Sequence, residues 1–140
     1  MKPRMKIFTI LLVTVLLQTI VACKPAGTVT DSISVIKAMF SAINKKQAET
    51  AANFFSEDGQ LTTGFGQPTG IKKIRDFLQT SWIPLKSHFE LKEINASDGN
   101  VTGIFTLQNT SDLFHNPTPL QLTAVVQNGK IKSMTWTTKK

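Results

Sequence analysis

Leu120-Gln121-Leu122-Thr123-Ala124-Val125-Val126-Gln127-Asn128-Gly129-Lys130-Ile131-Lys132-Ser133-Met134-Thr135-Trp136 is the stretch that decides the fold. Asn-Gly between two alternating runs is the strongest short hairpin signal, because both central residues of the turn need positive φ. A two-residue turn there sets Val126 opposite Ile131, Ala124 opposite Ser133 and Leu122 opposite Thr135. In that register Ser133 and Thr135 face inward with Leu122, Ala124, Val126 and Ile131. Thr123, Val125, Met134 and Trp136 then face outward.

The same period of two runs upstream over residues 85–96 and 101–108, giving four strands in all. Two registers compete for the first hairpin. A two-residue Asp98-Gly99 turn would set Lys92 against Phe105. A three-residue Ser97-Asp98-Gly99 loop sets Leu91 against Phe105 and Phe89 against Leu107, with His88, Glu90, Thr106 and Gln108 on the other face. A one-residue slip exchanges core for solvent, so the spacing favours the three-residue loop.

Before residue 85 the period is helical. Val29, Ile33, Ile36, Met39-Phe40 and Ile43 predict a helix to about Lys45, and Ala48, Ala51-Ala52 and Phe54-Phe55 a second from Gln47 to about Phe55. Residues 60–63 read as a short strand and Gly64 to Gly70 as a loop. Ile71, Ile74, Phe77-Leu78 and Trp82 predict a third helix, ended by Pro84. Helices followed by an antiparallel meander are an α+β arrangement, with the helices on one face of a curved sheet.

At this point the chain resembles the NTF2-like (cystatin-like) superfamily, specifically its SnoaL-like branch. The similar stretches are residues 54–59, Phe-Phe-Ser-Glu-Asp-Gly; residues 70–78, Gly-Ile-Lys-Lys-Ile-Arg-Asp-Phe-Leu; and residues 128–136. The resemblance covers nearly all of 29–138. It implies a cone, with three N-terminal helices packed on a curved antiparallel sheet, whose interior can hold a small, mostly apolar ligand.

The N-terminus has a different character. Lys2, Arg4 and Lys6 precede the mostly apolar run Ile7 to Val21, which is short for a bilayer span of about 20 residues and reads as an export signal. Ile20-Val21-Ala22-Cys23 then resembles the lipobox of bacterial lipoproteins, with an uncleaved anchor or a cleaved soluble form as alternatives. The resemblance implies a signal peptide over 1–22, a lipidated Cys23, a short tether over 23–28 and one domain over 29–140. It also implies a lipid-anchored place in the cell envelope. Lys24, where an Asp would signal retention at the inner membrane, favours the outer membrane facing the periplasm in a Gram-negative host.

Cys23 is the sole cysteine, so no disulfide forms within the chain and its core must suffice alone. The formal charge of +7 falls by three to +4 once Lys2, Arg4 and Lys6 leave. That remainder is scattered in lysine pairs, which argues against nucleic acid as a partner.

The residue pattern puts Phe40, Phe54, Phe89, Phe105, Leu122, Ser133 and Thr135 around the interior. Ser133 and Thr135 are the polar groups able to orient a ligand there. Ile104, Val125, Met134 and Trp136 are expected to form an outer apolar patch suited to a homodimer. Steroid-isomerase relatives use an aspartate base with a tyrosine and a protonated carboxylic acid; this chain has no tyrosine. Asp112 and His115, in the long connection 109–119, are the remaining acid–base candidates, and His88 is expected on the surface beside Glu90. The two histidines are too far apart in the chain to suggest a metal site, and no cofactor is implied. Membrane-tethered binding of a small apolar or amphipathic ligand ranks first. An envelope interaction or dimerisation module ranks second, and an isomerase, cyclase or hydrolase third.

Overall fold

The computed structural model describes residues 29–110 and 117–139. Cys23 with its tether, and Asp112 with His115, lie outside the described residues. Helix α1 spans Val29–Asn44 and buries Ser32, Ile36, Met39, Phe40 and Ile43 along one stripe. Its end is a Schellman-type turn. Lys46 takes φ 60°, its N–H donates to Ile43 O, and Gln47 N–H donates to Ala42 O.

The second helix is shorter than its periodicity suggests. α2 covers only Ala48–Ala52, because Phe55 already pairs with Ile131 and Phe54 O accepts from Ile131 N–H at 2.8 Å. Strand β1, Phe55–Thr62, therefore begins five residues earlier than the expected residue 60. It runs parallel to the last strand with a wide irregularity between Phe55 and Gln60. Gly59 sits inside that irregularity, where a Cβ would stand 2.9 Å from both Ile131 O and Ser56 O.

α3, Ile71–Phe77, continues into a π turn over Leu78–Trp82. Ile74, Leu78 and Trp82 are all buried, at intervals of four. At 3.6 residues per turn such a row drifts by about 40° per step. Widening the last turn to i→i+5 bonding, with Ile83 N–H donating to Leu78 O, turns Trp82 back over the face of Leu78.

The remaining strands are β2, His88–Ser97; β3, Asn100–Gln108; β4, Thr118–Gln127; and β5, Lys130–Thr138. The sheet order is β1-β5-β4-β3-β2, so the antiparallel meander gains a parallel fifth strand and the sheet is mixed.

Both hairpins depart from simple alternation. The first has a two-residue turn, Asp98 and Gly99 at φ 49° and 79°, in place of the expected three-residue loop. A bulge at Lys92 then shifts the ladder by one, so Leu91 still meets Phe105 and Phe89 meets Leu107. The second has the expected Asn128-Gly129 turn and Val126–Ile131 pair. A bulge at Lys132 shifts every later pair of this hairpin: Val125 pairs with Ser133, Ala124 with Met134 and Leu122 with Trp136.

That bulge reverses the expected faces of β5. Met134 and Trp136 are 1% and 4% exposed and belong to the core, so they form no outer apolar patch with Ile104 and Val125. Ser133 and Thr135 leave the inward row and are only half-buried. The physical reason is spacing. Ile131, Met134 and Trp136 stand at intervals of three and two, which strict alternation cannot bury together but one extra residue can. Phe89, Leu91, Ile94 and Ala96 on β2 pose the same problem, and the Lys92 bulge solves it in the same way.

Candidate functional site

The centre of the cone is filled by the protein's own rings. Phe40 lies 5.4 Å from Phe89, 5.0 Å from Phe105 and 5.7 Å from Trp136, centroid to centroid, and Trp136 lies 5.2 Å from Phe89. Leu122 is buried beneath them, and Phe54 is half-buried against the cluster. Phe40, Phe89, Phe105 and Leu122 are thus brought together as expected, but as packed core rather than as walls of a wide cavity. Ser133 is not among them.

Open space remains at the end of the sheet where β1 and β5 finish and β4 begins. A cavity of about 290 Å³ there is lined by Thr62 to Phe65, Trp82, Leu120 and Thr135 to Thr138. Thr135 therefore does line a pocket, though not from the inward row expected of it. Trp136, expected on an outer surface, forms part of the same wall. None of the described lining side chains is ionisable.

Local structure fixes this pocket's rim. The chain leaves β1 through a tight turn in which Thr63 N–H donates to Gly66 O at 2.9 Å, and Thr63 Oγ1 accepts from Phe65 N–H at 3.2 Å. That turn holds Phe65 out, 54% exposed, with its ring edge-on to Trp82 at 5.6 Å. The π turn supplies Trp82 from below, and Trp82 stands 5.6 Å from Trp136. Gly64 contributes no side chain, and a Cβ there would meet nothing within 4 Å.

The wall also holds a buried indole donor. Trp136 Nε1–H is buried and has no hydrogen-bond acceptor among the described residues. A buried donor without a partner costs about 1–3 kcal/mol, so such atoms in native proteins call for an explanation.

Two further depressions are more polar. One, about 380 Å³, lies between α1 and β2 and includes Lys37, Asn44, Lys45 and His88. The other, about 490 Å³, lies at the start of α3 beside Glu57, Lys72, Lys73 and Arg75. His88 and Glu90 are exposed, as expected. Lys92 Nζ lies 2.7 Å from Glu90 and, chiefly through that hydrogen bond, holds its carboxyl below the ordinary 4.5. Among the described residues no group of three or more His, Cys, Asp or Glu could hold a metal ion.

The family description for the SnoaL-like domain matches residues 36–134, most of the chain and all five strands in part or whole. The chain belongs to the SnoaL-like family. Solved structures agree on this SnoaL-like fold. An NTF2-like protein of unknown function from Cytophaga hutchinsonii superimposes with TM-score 0.65 at 11% identity, over 81% of this chain and 93% of that one. A protein of Sinorhizobium meliloti suggested to be a polyketide cyclase gives 0.68 at 12%, over 76% and 98%. TerC, co-crystallised with polyporic acid, gives 0.68 at 17%, over 78% and 92%. At these identities the likeness is one of fold. No curated protein matches the chain.

The sequence reading missed Trp82, Trp136, Phe65 and Thr62–Thr63 as pocket residues. The intervals of three and two along Ile131, Met134 and Trp136 were the available signal for Trp136. Nothing local marks the π turn that places Trp82.

Proposed function

We propose that this SnoaL-like domain binds a small apolar or amphipathic ligand without turning it over, held at a membrane face of the cell envelope by lipidated Cys23. The observation that carries the binding reading is the pocket framed by Phe65, Trp82 and Trp136. Its volume of about 290 Å³ is just under the roughly 300–1,000 Å³ usual for small-molecule sites, and its lining joins three aromatic rings and Leu120 to five threonines. Among the described residues the lining offers no side chain that could move a proton at neutral pH, which favours binding over catalysis. The co-crystallisation of TerC with polyporic acid supports a ligand-holding use of the same fold.

The anchoring reading rests on the apolar leader and on Ile20-Val21-Ala22-Cys23. Two or more acyl chains hold a protein stably, at about 0.8 kcal/mol per buried methylene, where one chain does not. Lys24 favours the outer membrane if the host has one. An envelope interaction module is the weaker reading, since the outer patch that supported it loses Met134 and Trp136 to the core.

The test of binding is mass spectrometry of the organic extract of the chain purified from its host. A neutral small molecule carried by the native chain and lost from Thr135→Phe, which enlarges a half-buried side chain of the lining, is the expected result. Equal carriage by both, or by neither, rejects this pocket as the site. The test of anchoring is incorporation of labelled palmitate, which Cys23→Ser should abolish; a Cys23→Ser chain that stays labelled rejects it.

A further inference from the structure

Resting on that reading of the pocket, we infer the chemical class of its ligand: a short extended peptide that pairs with the open edge of β5 at Thr138. The sheet itself leaves the place for it. β5 pairs with β4 as far as Leu120 and Thr138, but its pairing with β1 ends at Thr62 and Thr135. Beyond that point β1 turns away, with Thr63 N–H spent on Gly66 O. Among the described residues, Trp136, Thr137 and Thr138 therefore have a paired strand on one side only, and the cavity lies along them. At about 3.3 Å per residue, that gap holds about three residues of extended chain.

Backbone orientation fixes which groups the gap exposes. Lys139 N–H donates to Pro119 O at 3.3 Å, towards β4. Residues opposite each other in an antiparallel pair alternate between bonded and non-bonded, so Leu120 and Thr138 are a non-bonded pair. The N–H and C=O of Thr138 thus point away from β4, to the side that β1 has left. A purely apolar ligand leaves both groups to water. An extended peptide offers a donor and an acceptor at strand spacing and can bond both, as a strand added to a sheet edge does. Its residue beside Thr138 directs its side chain to the same face as Trp136, because side chains of neighbouring strands align across a sheet. That side of the cavity carries Trp82, Leu120 and Trp136, so the side chain placed there is apolar.

The experiment titrates the full-length, 15N-labelled chain with two matched probes. One is the capped tripeptide acetyl-Ala-Leu-Ala-amide; the other is its analogue with esters in place of the linking amides, which keeps the shape and loses the N–H donors. We expect the tripeptide to move the Thr138 amide resonance downfield and to slow its hydrogen exchange. It should bind about fivefold to tenfold tighter than the ester, the range one net hydrogen bond gives. If the Thr138 amide neither shifts nor slows, or if the two probes bind alike, the peptide inference is overturned. The pocket still stands in that case as long as Thr135→Phe loses the molecule that the native chain carries from its host. If Thr135→Phe binds the tripeptide as well as the native chain does, the pocket reading fails and the inference with it.

Discussion

Lys132, the residue bulged out of β5, reaches Asp58 in the irregular part of β1, with Nζ 2.9 and 3.2 Å from the two carboxylate oxygens. Ser56 Oγ donates to the same carboxylate at 3.0 Å. The two irregularities thus face each other across the parallel pair, and the more consequential lies on β5. It turns Met134 and Trp136 into the core and so builds one wall of the pocket.

The bulge should be held by the burial of Met134 and Trp136 and not by the ion pair. Both charged side chains are substantially exposed, at 40% and 76%, and exposed pairs contribute little. Lys132→Ala should leave the melting temperature nearly unchanged. Deleting Lys132 forces a choice between strict pairing and burial of Met134 and Trp136, and should cost at least the ~3–5 kcal/mol of losing a buried tryptophan. Thermal denaturation of the two variants checks this, and equal effects would contradict it.

The same contact predicts a titration. The hydrogen bond from Lys132, then that from Ser56, lowers the Asp58 carboxyl below the ordinary 3.8. A carboxyl lowered by folding adds stability above its unfolded value, and that contribution is lost as pH falls through the folded one. No change is therefore expected from this group above about pH 5. Carboxyl NMR should show Asp58 titrating below its ordinary value in the native chain and returning towards it in Lys132→Met.

Asn44 closes the exposed edge of the sheet. Its Nδ2 donates to Phe89 O and its Oδ1 accepts from Phe89 N–H, each at 2.8 Å, in the manner of a neighbouring strand. Asn44→Ala should lose two hydrogen bonds, about 1–3 kcal/mol together. It should also speed hydrogen exchange at the Phe89 amide, since the edge is then unpaired. Denaturant unfolding and exchange rates read the two effects.

Gly103 faces the other bulge, next to Lys92. A Cβ there would stand 2.6 Å from Glu93 O, a backbone atom that cannot step aside. Gly103→Ala should destabilise by about 1–3 kcal/mol, as overpacking does. Ala at Gly64, where the Cβ meets nothing, is the control.

Legibility in the sequence tracked the range of the forces involved. Asn128-Gly129 is a local conformational demand, so the turn and the Val126–Ile131 pair were readable from two residues. The helix stripe of Ile36, Met39, Phe40 and Ile43 was equally plain. The bulges were harder, because alternation was read as unbroken. Leu91 reached Phe105 by a route other than the expected loop, and Met134 and Trp136 were assigned to the wrong face. Their intervals of three carry the correction. The parallel pairing of β1 with β5 joins residues some 70 apart, which no local pattern announces. The pocket depended on all of these together, so only Thr135 of its lining was anticipated as a pocket residue.

The most direct measurement is a high-resolution crystal structure of the chain purified from its host, inspected where Phe65, Trp82 and Trp136 meet. The account predicts density for a small apolar or amphipathic molecule there. A pocket closed by the protein's own side chains, with no density for a bound molecule, would contradict it.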